Sequence, residues 1–328
     1  MPAPLSARAR RALVAGPGLM ISGVLPAFLT ASLASRIPDD FALGDTGVGL
    51  AIAIFHVMCA LTSTPAGRLV ERIGPQAGMR IAATLTALSC LAIAGLALPL
   101  VAIPFGWRWA FLAVAALALT AAALAPSGAA VRVAAADRPR GLTSVHALAV
   151  AAALASAAGV GFISFLILYA ERSGMSQAAA GLLLGGVSLA ATVSRIGVGP
   201  LADRRGQEPL RPVARMLALS IGGYLLLIAG EPALIVIAAL LAGSAGWAWP
   251  GGLTLAVVQR SPGAPAWAVG VLMAGLFTGA ILGPLVVGVL AEHERFAVAW
   301  GVCATCALLA AITVSATRRR PPRPQPRP

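Results

Sequence analysis

Two octets, GRLVERIG (Gly67 to Gly74) and GPLADRRG (Gly199 to Gly206), place an acid beside an arginine in a chain whose charged residues are only 11% of the total. Gly67 matches Gly199, Leu69 matches Leu201, Arg72 matches Arg204 and Gly74 matches Gly206, while Glu71 stands where the second copy has Asp203. The chemistry open to such a group is electrostatic. An acid accepts hydrogen bonds at a helix N-terminus, an arginine pairs with carboxylates or phosphates, and glycines allow a tight turn and close backbone approach. A plainer alternative is that the charges anchor a loop at the lipid surface. Repetition at equivalent positions argues against it.

Other chemically capable residues are sparse. His56 lies in the middle of an apolar run, where it either carries a coupling proton or contacts a solute, or is hydrogen-bonded within a helix bundle beside Ser63 and Thr64. Arg195, about two turns before Asp203, either attracts an anionic solute or snorkels to the nearer interface, the second being the preferred reading. Trp247, Trp249, Pro250 and Gly251 interrupt another run, either shaping a kink with an aromatic contact or reflecting the ordinary tolerance of membrane helices for Pro and Gly. No carboxylate falls in the middle of a run. Cys303 and Cys306 have the spacing of a redox or zinc pair, but they sit in apolar sequence without a second ligand pair and, with Cys59 and Cys90, are assigned to packing. Glu292-His293-Glu294 reads as an exposed loop. Gly181, Gly185 and Gly186 lack the Lys-Ser/Thr and the preceding strand of a phosphate cradle and are assigned to helix packing. The chain is therefore expected to be no enzyme, with no catalytic group, no metal site and no cofactor.

The elements that must position these residues follow from composition. Hydrophobic residues are 59% of 328 and mean hydropathy is +0.90, well beyond a soluble domain. A helix needs about 20 apolar residues to cross roughly 30 Å of hydrocarbon, and only helices or closed barrels satisfy their backbone groups there. The runs are helix-length and do not alternate as barrel strands would. The fold class expected is an all-α polytopic membrane protein with ten spans, near 12–34, 47–66, 80–103, 107–126, 143–170, 178–199, 213–229, 232–258, 265–290 and 296–317. Arg8, Arg10 and Arg11 precede the first run, which is too long for a signal-peptide core and reads as an uncleaved span.

A net charge of +13 raises the question of nucleic acid, and the placement of the charge answers it. All basic residues are arginines, and 19 of the 24 fall in the termini and alternate loops, while the intervening loops hold Asp39, Asp40, Asp45, Glu171, Glu231, Glu292 and Glu294. This is the positive-inside pattern of a protein in the plasma (cytoplasmic) membrane with both termini cytoplasmic. A nucleic-acid face would interleave basic residues with aromatics, and none does, so no nucleic-acid partner is expected. The tail RRRPPRPQPRP reads as disordered and attracted to lipid, with a polyproline ligand role as the lesser alternative.

Both octets thus lie on the cytoplasmic side, between the second and third spans of their halves. An acid-Arg pair between glycines at that place, repeated in the second half, resembles the signature loop of the major facilitator superfamily. The resemblance implies pseudo-symmetric six-helix bundles, a cavity lined by the first, second, fourth and fifth helices of each half, and signature loops that lock conformation: Gly67, Leu69, Glu71, Arg72 and Gly74, and Gly199, Leu201, Asp203, Arg204 and Gly206. The family usually follows the last glycine with basic residues, whereas Pro75-Gln76 and Gln207-Glu208 follow here, which predicts weaker electrostatic locking.

The repeat also measures the chain. Arg295 follows Gly199 by 96 residues, but Arg108, its counterpart, follows Gly67 by only 41. The difference of 55 residues is two membrane crossings at about 27 residues per span and loop. Four helices are therefore expected in a bundle at 1–140, six in a bundle at 141–317, and a basic proline-rich tail at 318–328. Gly275, Gly279, Gly283-Pro284 and Gly288 form a small-residue stripe suited to helix packing and resemble the family's glycine-proline helix. The first half keeps only the end of such a helix, so residues 80–104 read as one helix, bent near Pro99, that fuses two of the family's helices near Leu91 to Leu96. The function expected is a secondary transporter with a small-molecule solute and the lipid bilayer as partners, and with His56, Arg195 and Trp249 as pore or coupling candidates. The alternative is a non-transporting remnant acting as a membrane assembly partner. A homo-oligomer stays open in both.

Overall fold

The computed structural model describes residues 45–74, 142–204 and 208–318, with parts of 77–88 and 112–123. The expected spans 12–34, 80–103 and 107–126, the helix join and the tail lie wholly or largely outside the described residues. The chain divides into two compact units: Met1–Phe55 with Leu69–Ala134, and His56–Arg68 with Ala135–Pro328.

Every regular element described is helical. In chain order they are α1 (Asp45–Ile73), α2 (Leu142–Arg172), α3 (Gln177–Arg204), α4 (Leu210–Ile228), α5 (Pro232–Gly246), α6 (Pro250–Arg260), α7 (Pro265–Glu292) and α8 (Phe296–Arg318). Prolines start α5, α6 and α7, where the missing N–H is no loss and the fixed φ suits a first turn. Gly230, at φ +71°, breaks the long apolar run between α4 and α5 by taking a left-handed conformation that other residues adopt at a cost.

Among the described residues six stretches are long and apolar enough to cross a membrane: Thr143–Arg172, Ala178–Arg195, Leu210–Ile228, Leu234–Arg260, Pro265–Glu292 and Phe296–Arg318. They match the last six spans read from sequence, with α5 and α6 as two parts of one crossing.

The second unit packs in two tiers. One gathers Leu148, Leu217, Trp249, Leu253, Trp267 and Val314, and the other gathers Phe162, Leu166, Tyr224, Ile235, Val287 and Trp300. Since lipid is as apolar as a leucine side chain, the contacts that hold such helices together are close packing and polar bonds. Both are present. A Cβ at Gly275, Gly279 or Gly283 of α7 would overlap the backbone carbonyl oxygen of Ala149, Ala153 or Ala157 of α2 respectively, so the two helices meet backbone to backbone. At Gly288 the neighbour is the Phe165 ring, 3.0 Å from a Cβ built there. Pro284 lies inside α7.

The ends of the helices carry the polar bonds. Tyr169 donates its hydroxyl proton to the Leu227 carbonyl at 2.7 Å, and Arg172 donates to the Ala291 carbonyl at 2.9 Å while lying 5.5 Å from the Phe296 ring centre. At the opposite end Glu208 bridges Arg260 at 2.9 Å and Arg318 at 3.2 Å. Glu208 belongs to the sequence departure that predicted weak locking. Here it is the acid that ties α6 to α8.

Candidate solute site at a broken helix

The octets are the ends of helices. Gly67 to Ile73 form the last turns of α1, and Gly199 to Arg204, including Leu201 and Asp203, form the last turns of α3. The reading of both as loops is corrected accordingly: apart from the glycines and Pro200 the segments hold residues a helix tolerates, and glycine closes the first. Gly74 has φ +87° and donates its N–H to the Val70 carbonyl at 2.8 Å, a left-handed helix stop. Leu69 and Arg72 are exposed and Glu71 is half-buried. Gly206 lies outside the described residues. Gly67 serves a second purpose, since a Cβ there would overlap the carbonyl oxygen of Ala266 at the start of α7.

His56 is half-buried, and its ring meets Phe277 of α7 edge-on at 6.2 Å between centroids. Ser63, read as a partner for His56, donates instead to the Cys59 carbonyl one turn earlier, a satisfaction within its own helix. Cys303 is buried and Cys306 half-buried. Both border an apolar cleft of about 190 Å³ whose lining also includes Ala157, Gly279 and Gly283. Nothing in that lining would orient a polar solute.

The fourth span of the second unit is discontinuous. Helix α5 stops at Gly246, the residues Trp247, Ala248 and Trp249 are not helical, and α6 starts at Pro250. Pro250 lacks an N–H and clashes with a preceding turn, so the helix restarts there. Trp249 is 1% exposed and packs in the first tier, and its indole N–H is buried without a partner among the described residues, as is that of Trp247.

Arg195 of α3 occupies this break. Its Nε donates to the Trp247 carbonyl at 2.6 Å, and its guanidinium carbon lies 5.4 Å from the Trp247 ring centre, a cation over an aromatic face. That ring also meets α2, where a Cβ at Gly159 would stand 3.1 Å from the indole nitrogen. The contacts described for Arg195 are thus with Trp247 at the helix break.

Helix α3 presents three sectors. Ala180, Leu183, Val187 and Ala191 are buried. Leu182, Leu189 and Val193 are 78%, 67% and 62% exposed and form an apolar outer sector. Gly181, Gly185, Ser188, Thr192 and Arg195 are also exposed and, at spacings of four, three, four and three, share an arc of about 80° at 3.6 residues per turn. Nothing described lies within 4 Å of a Cβ built at Gly181 or Gly185, and Gly186 makes only an ordinary contact, 3.9 Å, with Leu240. Among the described residues only Gly186 of the three has a packing neighbour. Their stripe continues into the exposed hydroxyls of Ser188 and Thr192 and the exposed Arg195. An exposed apolar sector suits lipid, whereas an exposed small, polar and cationic sector suits a water-filled space.

A family model now bears on this geometry: that of the Major Facilitator Superfamily matches residues 148–328. The chain belongs to the Major Facilitator Superfamily. It is an integral membrane protein of that superfamily, and the fold is similar to two solved members. A single-residue variant of the E. coli fucose:proton symporter FucP shares 16% identity at a TM-score of 0.57, over 94% of this chain and 84% of that one. FucP in the outward conformation, a Major Facilitator Superfamily transporter, shares 16% identity at a TM-score of 0.55, over 94% and 83%. No curated protein matches the chain in sequence. Glu208, which joins two arginines, and the polar sector of α3 were both missed from sequence, although the 4-3-4-3 spacing that marks the sector was there to be read.

Proposed function

We propose that the protein is a secondary transporter that moves a small solute across the plasma membrane by alternating access. In this reading four helices at 1–140 and six at 141–317 rock about a midplane site, with both termini cytoplasmic and the tail 318–328 lying along anionic lipid. The observation that carries it is the polar sector of α3 leading to Arg195 at the helix break, in a chain of this superfamily. Discontinuous helices with a charged or polar group at the break are a usual construction of a transporter's binding site. His56 is the candidate coupling group. The cargo named for FucP is not carried over, because at 16% identity the likeness shows the fold alone and because a cation stands at this chain's break.

A second reading is a non-transporting remnant that serves as an assembly partner. It is favoured by the 55-residue shortfall of the first half. Flux of a panel of labelled solutes into proteoliposomes, under an imposed proton gradient, separates the two when the wild type is compared with a chain carrying two grafted first-half helices. Uptake by the wild type supports transport, and uptake by the grafted chain alone supports the remnant.

The same assay tests the octets. Loss of one charge-assisted contact is worth about 1 kcal/mol, several-fold in a population, so Asp203→Asn should shift the balance of inward and outward states. Glu71→Gln should do less, since its bundle is the shorter. Equal loss in both variants would sink the asymmetry.

A further inference from the structure

We infer that the break between α5 and α6 is a carboxylate site, in which Arg195 takes the carboxylate of a small organic acid. The inference rests on the transporter reading and names its solute class. Its starting point is charge. Arg195 is ionised under all ordinary conditions, and it lies at the last residue of an 18-residue apolar stretch. Its partners are the Trp247 carbonyl and ring, which orient the guanidinium and carry no negative charge. Acids in the six apolar stretches fall at their ends, as Glu171 and Glu292, and no described carboxylate pairs with Arg195. A charged side chain of a membrane helix that is held against a neighbouring helix is ordinarily balanced by a counter-charge. A bound anion would supply it.

Geometry selects the kind of anion. The bond to Trp247 uses Nε, and a guanidinium keeps two Nη groups in a planar fork that matches the two oxygens of a carboxylate. The side chain is exposed along the same sector as Thr192, Ser188, Gly185 and Gly181, so an anion can reach the fork. The two hydroxyls already donate to carbonyls of their own helix, at 2.9 Å each, which leaves their oxygens as acceptors that offer a carboxylate nothing. Arg195 is then the group that reads the charge, while the small residues of the sector leave room for the acid's remaining carbon atoms.

The test uses the full chain in nanodiscs of zwitterionic lipid. Thermal unfolding and tryptophan fluorescence are titrated with propionate and benzoate and with their neutral isosteres propionamide and benzamide, for wild type, Arg195→Lys and Arg195→Gln. At least one carboxylate should bind the wild type and raise its unfolding temperature, bind Arg195→Lys more weakly, and bind Arg195→Gln at least about ten-fold more weakly. The amides should do little. Wild-type binding of the amides as tight as that of the acids would overturn the inference, as would equal carboxylate affinity in Arg195→Gln or no carboxylate binding at all. Phosphatidylglycerol in the disc that alone reproduces the shift would assign the fork to a lipid phosphate and also overturn it. Proteoliposome flux of neutral solutes that persists through any of these failures leaves the transporter reading standing, so the two claims fail separately.

Discussion

Helices α3 and α7 carry glycine stripes that look alike in sequence and behave differently in the structure. On α7, Gly275, Gly279 and Gly283 each meet the backbone of an alanine in α2, close enough that a Cβ would overlap it. On α3, Gly181 and Gly185 meet nothing described within 4 Å. Spacing alone states that one side of a helix is low. What fills the depression is decided elsewhere: α2 offers Ala149, Ala153 and Ala157 and so can approach to backbone contact, while the α3 stripe runs on into Ser188, Thr192 and Arg195 and stays open.

The largest expected effect comes from putting bulk into the closed stripe. Gly279→Leu forces a side chain against the Ala153 carbonyl, a contact that backbone must yield to, and should cost about 3 kcal/mol or more. The expected result is loss of the monodisperse peak in fluorescence-detected gel filtration. The same bulk in the open stripe should spare the fold. Gly185→Leu should elute and unfold like the wild type but lower flux at least about ten-fold by narrowing the approach to Arg195; a folded Gly279→Leu or an unfolded Gly185→Leu would invert the comparison.

A smaller change sharpens it further, because the sign differs. Gly185→Ala adds only a methyl group to open space and removes a helix-destabilising glycine, so it should raise stability by about 0.5–1 kcal/mol, read as a higher unfolding temperature. Gly279→Ala should lower it. The smallest effect is expected at Glu208, which is outside both stripes. Glu208→Gln removes an acid that is 41% exposed and should cost roughly 0.2–1 kcal/mol, with the difference from wild type shrinking as salt is added.

The last six spans were legible from sequence because each is a long apolar run ended by a charged residue, Gly or Pro, and no tertiary information is needed to see that. The break at Trp247 to Trp249 was legible for the same reason, since Pro250 announces it. The destination of Arg195 was not. Its sequence surroundings allow an arginine to reach either an interface or the interior, and only the position of α5 beside α3 supplies the Trp247 carbonyl and ring. The ion pairs of Glu208 were not legible because its partners, Arg260 and Arg318, are 52 and 110 residues away. The octets were read as loops because a glycine at each end suggests a turn; among the described glycines of the two octets the backbone takes a positive φ at Gly74.

The break in the fourth span has a mechanical side. A continuous helix tilts as one rod, but a chain that restarts at Pro250 leaves α6 as a short lever with its fulcrum beside Arg195 and its free end at Arg260. Eleven residues make an arm of about 16 Å at 1.5 Å per residue. A tilt of about 10° about that fulcrum carries the far end about 3 Å on the same helical rise, as far as the 2.9 Å bond from Arg260 to Glu208 is long. A small rotation at the break is therefore enough to open or close an ion pair at the far end of the helix.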